Sequence, residues 1–175
     1  MRKHKGFSLI ELLIVVAIIL IIAAIAIPNM MRAKMSANDS SAAASVRSMV
    51  TGEMAYFATF PTVGYTNLLA LGGGLNVACV PGTATACLID SVLANNGSPA
   101  GAGKSGYSFA STPINSGAIA GLNDQFLATG TPLGATTGIK AYCVIDDGIV
   151  RMQAAGTISV VGSYAACQKL SSLLN

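Results

Sequence analysis

At 175 residues, 53% of them hydrophobic, the chain has room for one globular domain beside a long apolar segment. Its formal charge of +3 does not argue for nucleic acid. Three of the ten basic residues (Arg2, Lys3, Lys5) lie in the first five positions, leaving seven basic against seven acidic side chains, with no dense basic cluster interleaved with aromatics.

Taken in order, the chain begins with those three cations and His4, followed by Gly6. From Phe7 to Ile27 comes a run of 21 residues with one charge, Glu11. At about 1.5 Å per helical residue it is roughly 31 Å long, the thickness of a bilayer's hydrocarbon core. A carboxylate inside such a segment costs about 2.5–3.5 kcal/mol on insertion scales, which makes Glu11 a candidate functional residue. A plain transmembrane anchor explains the length and the basic flank but leaves Glu11 unexplained. A secretory signal peptide cut near Ala24-Ile25-Ala26 would discard the most specific residues, and Glu11 interrupts its apolar region. The third reading is a short leader ending at Gly6, with the apolar segment retained.

Lys5-Gly6-Phe7-Ser8-Leu9-Ile10-Glu11 and the unbroken apolar run behind it closely resemble the type IV pilin class, including the pseudopilins of type II secretion. The resemblance implies that a prepilin peptidase cuts between Gly6 and Phe7 and N-methylates the new amine on Phe7. It implies self-association into a helical homopolymer by way of pilus assembly machinery in the inner membrane. The subunit would sit in that membrane before assembly and in an extracellular pilus afterwards, serving adhesion or motility, with no cofactor. Phe7, Glu11 and Pro28 are the assembly residues under this reading. The chemistry agrees: an amine with an ordinary pKa of about 7.7–8.0 is cationic near neutrality. Buried beside Glu11 of a neighbouring subunit, each charge offsets the other's desolvation, and the cost of mispairing sets the stagger between subunits.

Pro28 has no N–H and its ring clashes with the Ala24 carbonyl, so a helix running through it should bend or loosen. From Asn29 to Phe60 the pattern is helical. Met31, Met35, Ala42, Val46, Met49, Tyr56 and Phe60 form one apolar stripe that should dock the globular domain, with Glu53 as a charged exception on it. Pro61 stops the helix. The expected organisation is a leader over 1–6, a membrane or filament-core helix over 7–28, an amphipathic helix over 29–60 and a globular head over 61–175. Tyr56, Phe57 and Phe60 read as core aromatics rather than a path for electrons.

Beyond Pro61 the composition shifts to Gly, Ala, Thr, Asn and Ser. Thr66 to Leu71 suggests one or two helical turns, Gly72-Gly73-Gly74 a flexible connection, and Ile89 to Ala94 a short helix. The last third reads as β: Tyr107 and Phe109 alternate with small residues, and Gln125 to Ala128 forms a short strand. A hairpin is expected from Ile139 to Ile145 and Ile149 to Ala154 around Asp146-Asp147-Gly148. Asp146 and Asp147 are too few for the six to eight oxygens calcium requires and read as a solvated turn. The expected fold class is α+β, and the resemblance implies the pilin fold: a long N-terminal helix, partly transmembrane, on a small antiparallel sheet.

Four cysteines, all beyond the apolar segment, fit an oxidising compartment and allow three pairings. The resemblance favours the pairing in which Cys79–Cys87 would close a small loop around Val80-Pro81-Gly82. Its companion, Cys143–Cys167, resembles the C-terminal disulfide loop of many pilins. Catalytic chemistry is nearly absent. The sole histidine, His4, sits in the leader, no zinc-ligand spacing exists, and no serine occupies a nucleophile elbow, so an enzyme is not expected. Two alternatives stand beside a major pilin. One is a pseudopilin of a type II secretion system. The other is a minor pilin binding DNA or a surface, which would need the fold to gather Lys104, Lys140, Arg151 and Lys169 into a basic patch.

Overall fold

The computed structural model describes residues 7–153 and 161–173. The elements run α1 (Leu9–Thr59), α2 (Leu68–Gly72), α3 (Ser91–Ala94), β1 (Tyr107–Ile114), β2 (Gln125–Pro132), β3 (Ala141–Ile145), β4 (Arg151–Gln153) and α4 (Tyr164–Gln168). The chain divides into two compact units, Met1–Lys34 and Met35–Asn175.

In the first unit α1 is aliphatic on every face. Straight-chain and branched apolar residues follow one another with no glycine between Phe7 and Ile27, so nothing local interrupts the helix. Its large apolar side chains are exposed, Leu9 by 81% and Ile21 by 64%. The helix continues through Pro28.

In the second unit α1 becomes amphipathic, and its buried residues recur at three- and four-residue steps: Asp39, Ala42, Val46, Met49, Glu53, Tyr56. The stripe starts later than the sequence pattern suggests. Met31 is exposed and Met35 only half-buried. The four-stranded sheet has the order β1-β2-β3-β4, every neighbour antiparallel. On β1 the alternate residues Tyr107, Phe109 and Ser111 are buried, the period-two signature of one covered face. Ala42, Val46 and Met49 of α1 join Tyr107, Phe109, Phe126, Tyr142 and Val144 of the sheet in the main core cluster. Gly130 of β2 permits this approach: a Cβ there would stand 3.1 Å from both Val46 and Phe109.

β3 is buried at all five positions, as expected of a strand covered on both faces. Tyr142 and Val144 belong to the α1-side core. Cys143 and Ile145 belong to a second cluster with Leu127, Val161 and Cys167, flanked by Tyr164 and Leu170. The cover on that side is α4, which the sequence pattern does not suggest. Five residues are too few to display a period, and what starts the helix is Ser163, whose hydroxyl accepts from the Ala166 N–H. Cys143 and Cys167 are disulfide-bonded across this layer, with Cα atoms 6.0 Å apart. The Cys79–Cys87 disulfide closes the loop beside Tyr56, whose hydroxyl donates to the Thr83 carbonyl at 2.7 Å.

Three strand lengths differ from the sequence pattern, and the first is that of β3, which begins at Ala141 rather than Ile139, whose N–H donates to Asp39 Oδ1 instead of a ladder partner. β2 extends to Pro132 because Thr129, Gly130, Thr131 and Pro132 complete the ladder opposite Ala110, Phe109, Ser108 and Tyr107. Cross-strand pairing outweighs the weak strand preference of glycine and proline there. The second hairpin strand begins at Arg151, since Ile149 still belongs to the turn: its N–H donates to Asp147 Oδ1. Ala154 lies outside the described residues. Gly148 has a φ of 72°, which Asp-Gly turns supply at no steric cost.

Replacing both Cys143 and Cys167 with alanine removes a cross-link between residues 24 apart in sequence. The expected loss is about 3 kcal/mol of unfolding free energy in urea titrations under non-reducing conditions, by chain-entropy reasoning. An unchanged midpoint would contradict that expectation.

Candidate functional site

The first turn of α1 holds the residues that the sequence singles out. Ser8 precedes the helix, and its carbonyl accepts the first helical bond, from the Leu12 N–H at 3.3 Å. Glu11 stands three residues on and reaches back, its Oε2 accepting from the Ser8 N–H at 3.0 Å. This is one arm of a capping box, so the carboxylate satisfies a donor the helix cannot. A negative side chain at this end is also favoured by the helix dipole. Phe7 precedes the box and is 75% exposed. Gly6, the other side of the expected cleavage, lies outside the described residues. Leu9, Leu12, Leu13 and Val16 form an open apolar concavity beside Glu11. By length and composition α1 is able to cross a bilayer, and none of its most apolar window is covered by the rest of the chain.

Two further carboxyls lie on the buried stripe of α1, and neither forms an ion pair with a cation among the described residues. Asp39 accepts from the Tyr107 hydroxyl at 2.5 Å and from the Ile139 N–H at 3.1 Å. Glu53, fully buried, accepts from the Ser111 hydroxyl at 2.5 Å and the Thr66 N–H at 3.0 Å. Burial pushes the Glu53 carboxyl up to about 7, against the opposing pull of those two hydrogen bonds. Desolvation, then the hydrogen bond to Asp39, likewise raises Tyr107 well above an ordinary phenol. The amphipathic pattern marks Glu53 as an exception. It gives no sign that Ser111, 58 residues away, would receive it.

The hairpin acids are engaged rather than free in solvent. Asp147 takes both Arg151 guanidinium nitrogens, at 3.0 and 2.5 Å, and Asp146 accepts from the Tyr164 hydroxyl of α4 at 2.5 Å. The arginine holds the Asp147 carboxyl below its usual range against the penalty of burial. Among the described residues no group of three or more His, Cys, Asp or Glu side chains could hold a metal. Of the four cations proposed to form a basic patch, Lys104 is paired with Asp90 at 2.9 Å and Arg151 with Asp147.

The helix is aliphatic, bare over its most apolar window and long enough to span a bilayer, with Phe7, Ser8 and Glu11 at its start. Residues 1–27 match the family described as the prokaryotic N-terminal methylation motif. The chain is homologous to type IV pilins. It is 62% identical over 40 residues to the type IV wide pilus major component PilA4 of Thermus thermophilus, covering 23% of this chain and 30% of the relative. It is 44% identical over 55 residues to the type IV major pilin protein PilA of Myxococcus xanthus, covering 31% of this chain and 25% of the relative. The matches thus span under a third of either relative. No solved structure matches the chain.

Glu53 makes stability depend on pH in a definite direction. Its folded pKa of about 7 lies above the ordinary 4.5, so the native state holds the proton more tightly than the unfolded chain. Its contribution is fully present below about pH 4.5, is lost as pH rises through about 7, and is then level. By linkage the loss is about 3 kcal/mol. Glu53→Gln keeps an acceptor for Thr66 and offers a donor to Ser111, and should flatten this slope in urea titrations between pH 4 and 8. A slope identical to that of the parent chain would refute the assignment.

Proposed function

We propose that this chain is a structural type IV pilin subunit, most simply the major one, that polymerises through α1 into a surface pilus serving adhesion or motility. The observation that carries this reading is the bare aliphatic helix with a carboxylate in its first turn. Each large apolar side chain buried against a second copy contributes about 1.5–3 kcal/mol. The lipid bilayer covers the same surface before assembly, so the helix is apolar enough for both environments.

Processing between Gly6 and Phe7 by a prepilin peptidase, with N-methylation of Phe7, would place a cationic amine at the N-terminal end of the capping box. Glu11 Oε2 is engaged with Ser8 N–H. Its other oxygen is then available to the Phe7 amine of a neighbouring subunit, where a mispaired carboxylate would be costly. Pro28 deprives the Ala24 carbonyl of its helical donor, which gives α1 a point at which to yield on packing. Domain roles follow: 1–6 leader, 7–28 membrane and filament core, 29–60 helix into the head, 61–175 head. The subunit resides in the inner membrane first and in the extracellular fibre afterwards, its partners being the peptidase, the assembly machinery and further copies of itself. The chemistry required is packing and pairing, with no catalytic step.

Filaments sheared from the parent cells and analysed by mass spectrometry should yield abundant chains beginning at N-methylated Phe7. A terminus near Ile27 would overturn the processing. The Phe7 terminus confined to membranes would overturn the external fibre in favour of a secretion pseudopilus. Glu11→Gln should reduce filament yield at least about tenfold while leaving the membrane pool intact, the cost of an unpaired buried charge. Wild-type yield and length would remove Glu11 from assembly.

A further inference from the structure

The two disulfides differ in what surrounds them. Cys143 and Cys167 are both fully buried, packed among Leu127, Ile145 and Val161. Cys79 is exposed and Cys87 half-buried, at the surface of the second unit. Thiol–disulfide exchange requires a thiolate to reach one sulfur of the pair, so access decides which bond reacts. A thiolate meets Cys79 in water. To meet Cys143 or Cys167 it must shed its hydration or wait for the sheet to open.

The Cys79–Cys87 bond also restrains a segment that little else holds. On the Cys87 side the chain is laced to α2. The Ala86 N–H donates to the Ala70 carbonyl at 2.6 Å, and the Leu88 N–H to the Leu71 carbonyl at 2.7 Å. Ala86 also joins Tyr56 and Leu71 in an apolar cluster. The Cys79 side is different: among the described residues, no backbone-to-backbone hydrogen bond joins residues 74–80 to another element. Gly74 and Asn76 to Pro81 are exposed, Val77 by 71% and Val80 by 72%. The Val80 carbonyl accepts from the Thr85 hydroxyl at 2.7 Å, but Thr85 lies inside the same disulfide loop. Cys79 Sγ rests 3.3 Å from the Gly72 carbonyl oxygen, a contact that only a weak thiol donor would inherit on reduction. Gly73, at a φ of 84°, gives the segment a pivot where α2 ends.

We infer that Cys79–Cys87 is a thiol–disulfide exchange site for small dithiols, and that its reduction releases residues 74–81 as a hinged arm while the sheet and Cys143–Cys167 stay intact. One thiolate of the dithiol attacks Cys79 Sγ and forms a mixed disulfide. The Cys79–Cys87 bond breaks, and its electron pair leaves on Cys87 Sγ. The second thiol then attacks the mixed disulfide, so that the dithiol closes to its own disulfide and Cys79 leaves as a thiolate. Two electrons pass to the protein, and the two protons of the dithiol end on Cys79 and Cys87. Ala86 and Leu88 keep their bonds to α2, so the arm swings on its Cys79 side alone. The latch lies wholly within the second unit, and its test does not depend on how α1 is processed or packed.

The full chain in non-ionic detergent is treated with dithiothreitol, sampled over time, alkylated and mapped by mass spectrometry. Cys79 and Cys87 should become alkylated at least about tenfold faster than Cys143 and Cys167. The alkylated sample, freed of reductant, is then digested briefly with proteinase K beside the untreated chain. Cutting within residues 74–81 should rise at least about fivefold, while residues 107–153 stay uncut, which separates release of the arm from unfolding. The double variant Cys79→Ser, Cys87→Ser should be cut at the same raised rate with no reductant, which excludes an effect of the alkyl groups. Four results would overturn the proposal: equal reduction rates for the two disulfides, earlier reduction of Cys143–Cys167, resistance of both, or an unchanged cutting rate within 74–81.

Discussion

The second unit depends on one seam, where the buried stripe of α1 lies along the sheet. Its apolar middle, Ala42, Val46 and Met49, packs closely on the sheet because Gly130 carries no side chain where Val46 approaches. Its ends are polar. Asp39 meets Tyr107 and Glu53 meets Ser111, two residues four apart on the same face of β1. Each carboxyl also takes a backbone N–H from a loop, Ile139 or Thr66, that has no strand partner at that point. An apolar seam alone slides at little cost. Buried acceptors that find their donors in one register alone prevent it.

This arrangement explains why so few charges suffice. Only 10% of residues are charged, and several of those are tied into hydrogen bonds and ion pairs of the fold. Asp90 caps α3 through the Leu93 N–H and pairs with Lys104. Asp147 locks the hairpin turn to Arg151, and Asp146 ties that turn to α4 through Tyr164. A surface so poor in charge offers little electrostatic resistance to close approach by another copy. The bare aliphatic helix of the first unit carries the same logic to its limit.

Much of the architecture is legible from local rules. The aliphatic run from Phe7 to Ile27, the Ser8-to-Glu11 spacing, Pro61 beyond the end of α1 and the Asp-Gly turn each act over a few residues, where propensity and capping decide. Even α2 and α3 fall close to where composition suggests. What was not legible depends on distant partners. α4 is five residues long and exists because β3 needs cover on its second face. β2 runs through Gly130 and Pro132 because β1 presents a ladder to complete. Glu53 looked like a flaw in an apolar stripe until Ser111 arrived opposite it.

The sequence by itself determined where the long helix begins, its two-part character and its chemical endowment at Phe7 and Glu11, because helix signals and hydrophobic runs are written in neighbouring residues. Tertiary structure decided which acids are buried, that two of four scattered cations are neutralised, and that Arg47, Lys140 and Tyr142 share one pocket. Arg47 lies 93 and 95 residues before Lys140 and Tyr142, and no local periodicity records that distance. Only closing the helix onto the sheet, at a cost in chain entropy offset by the buried seam, brings them together.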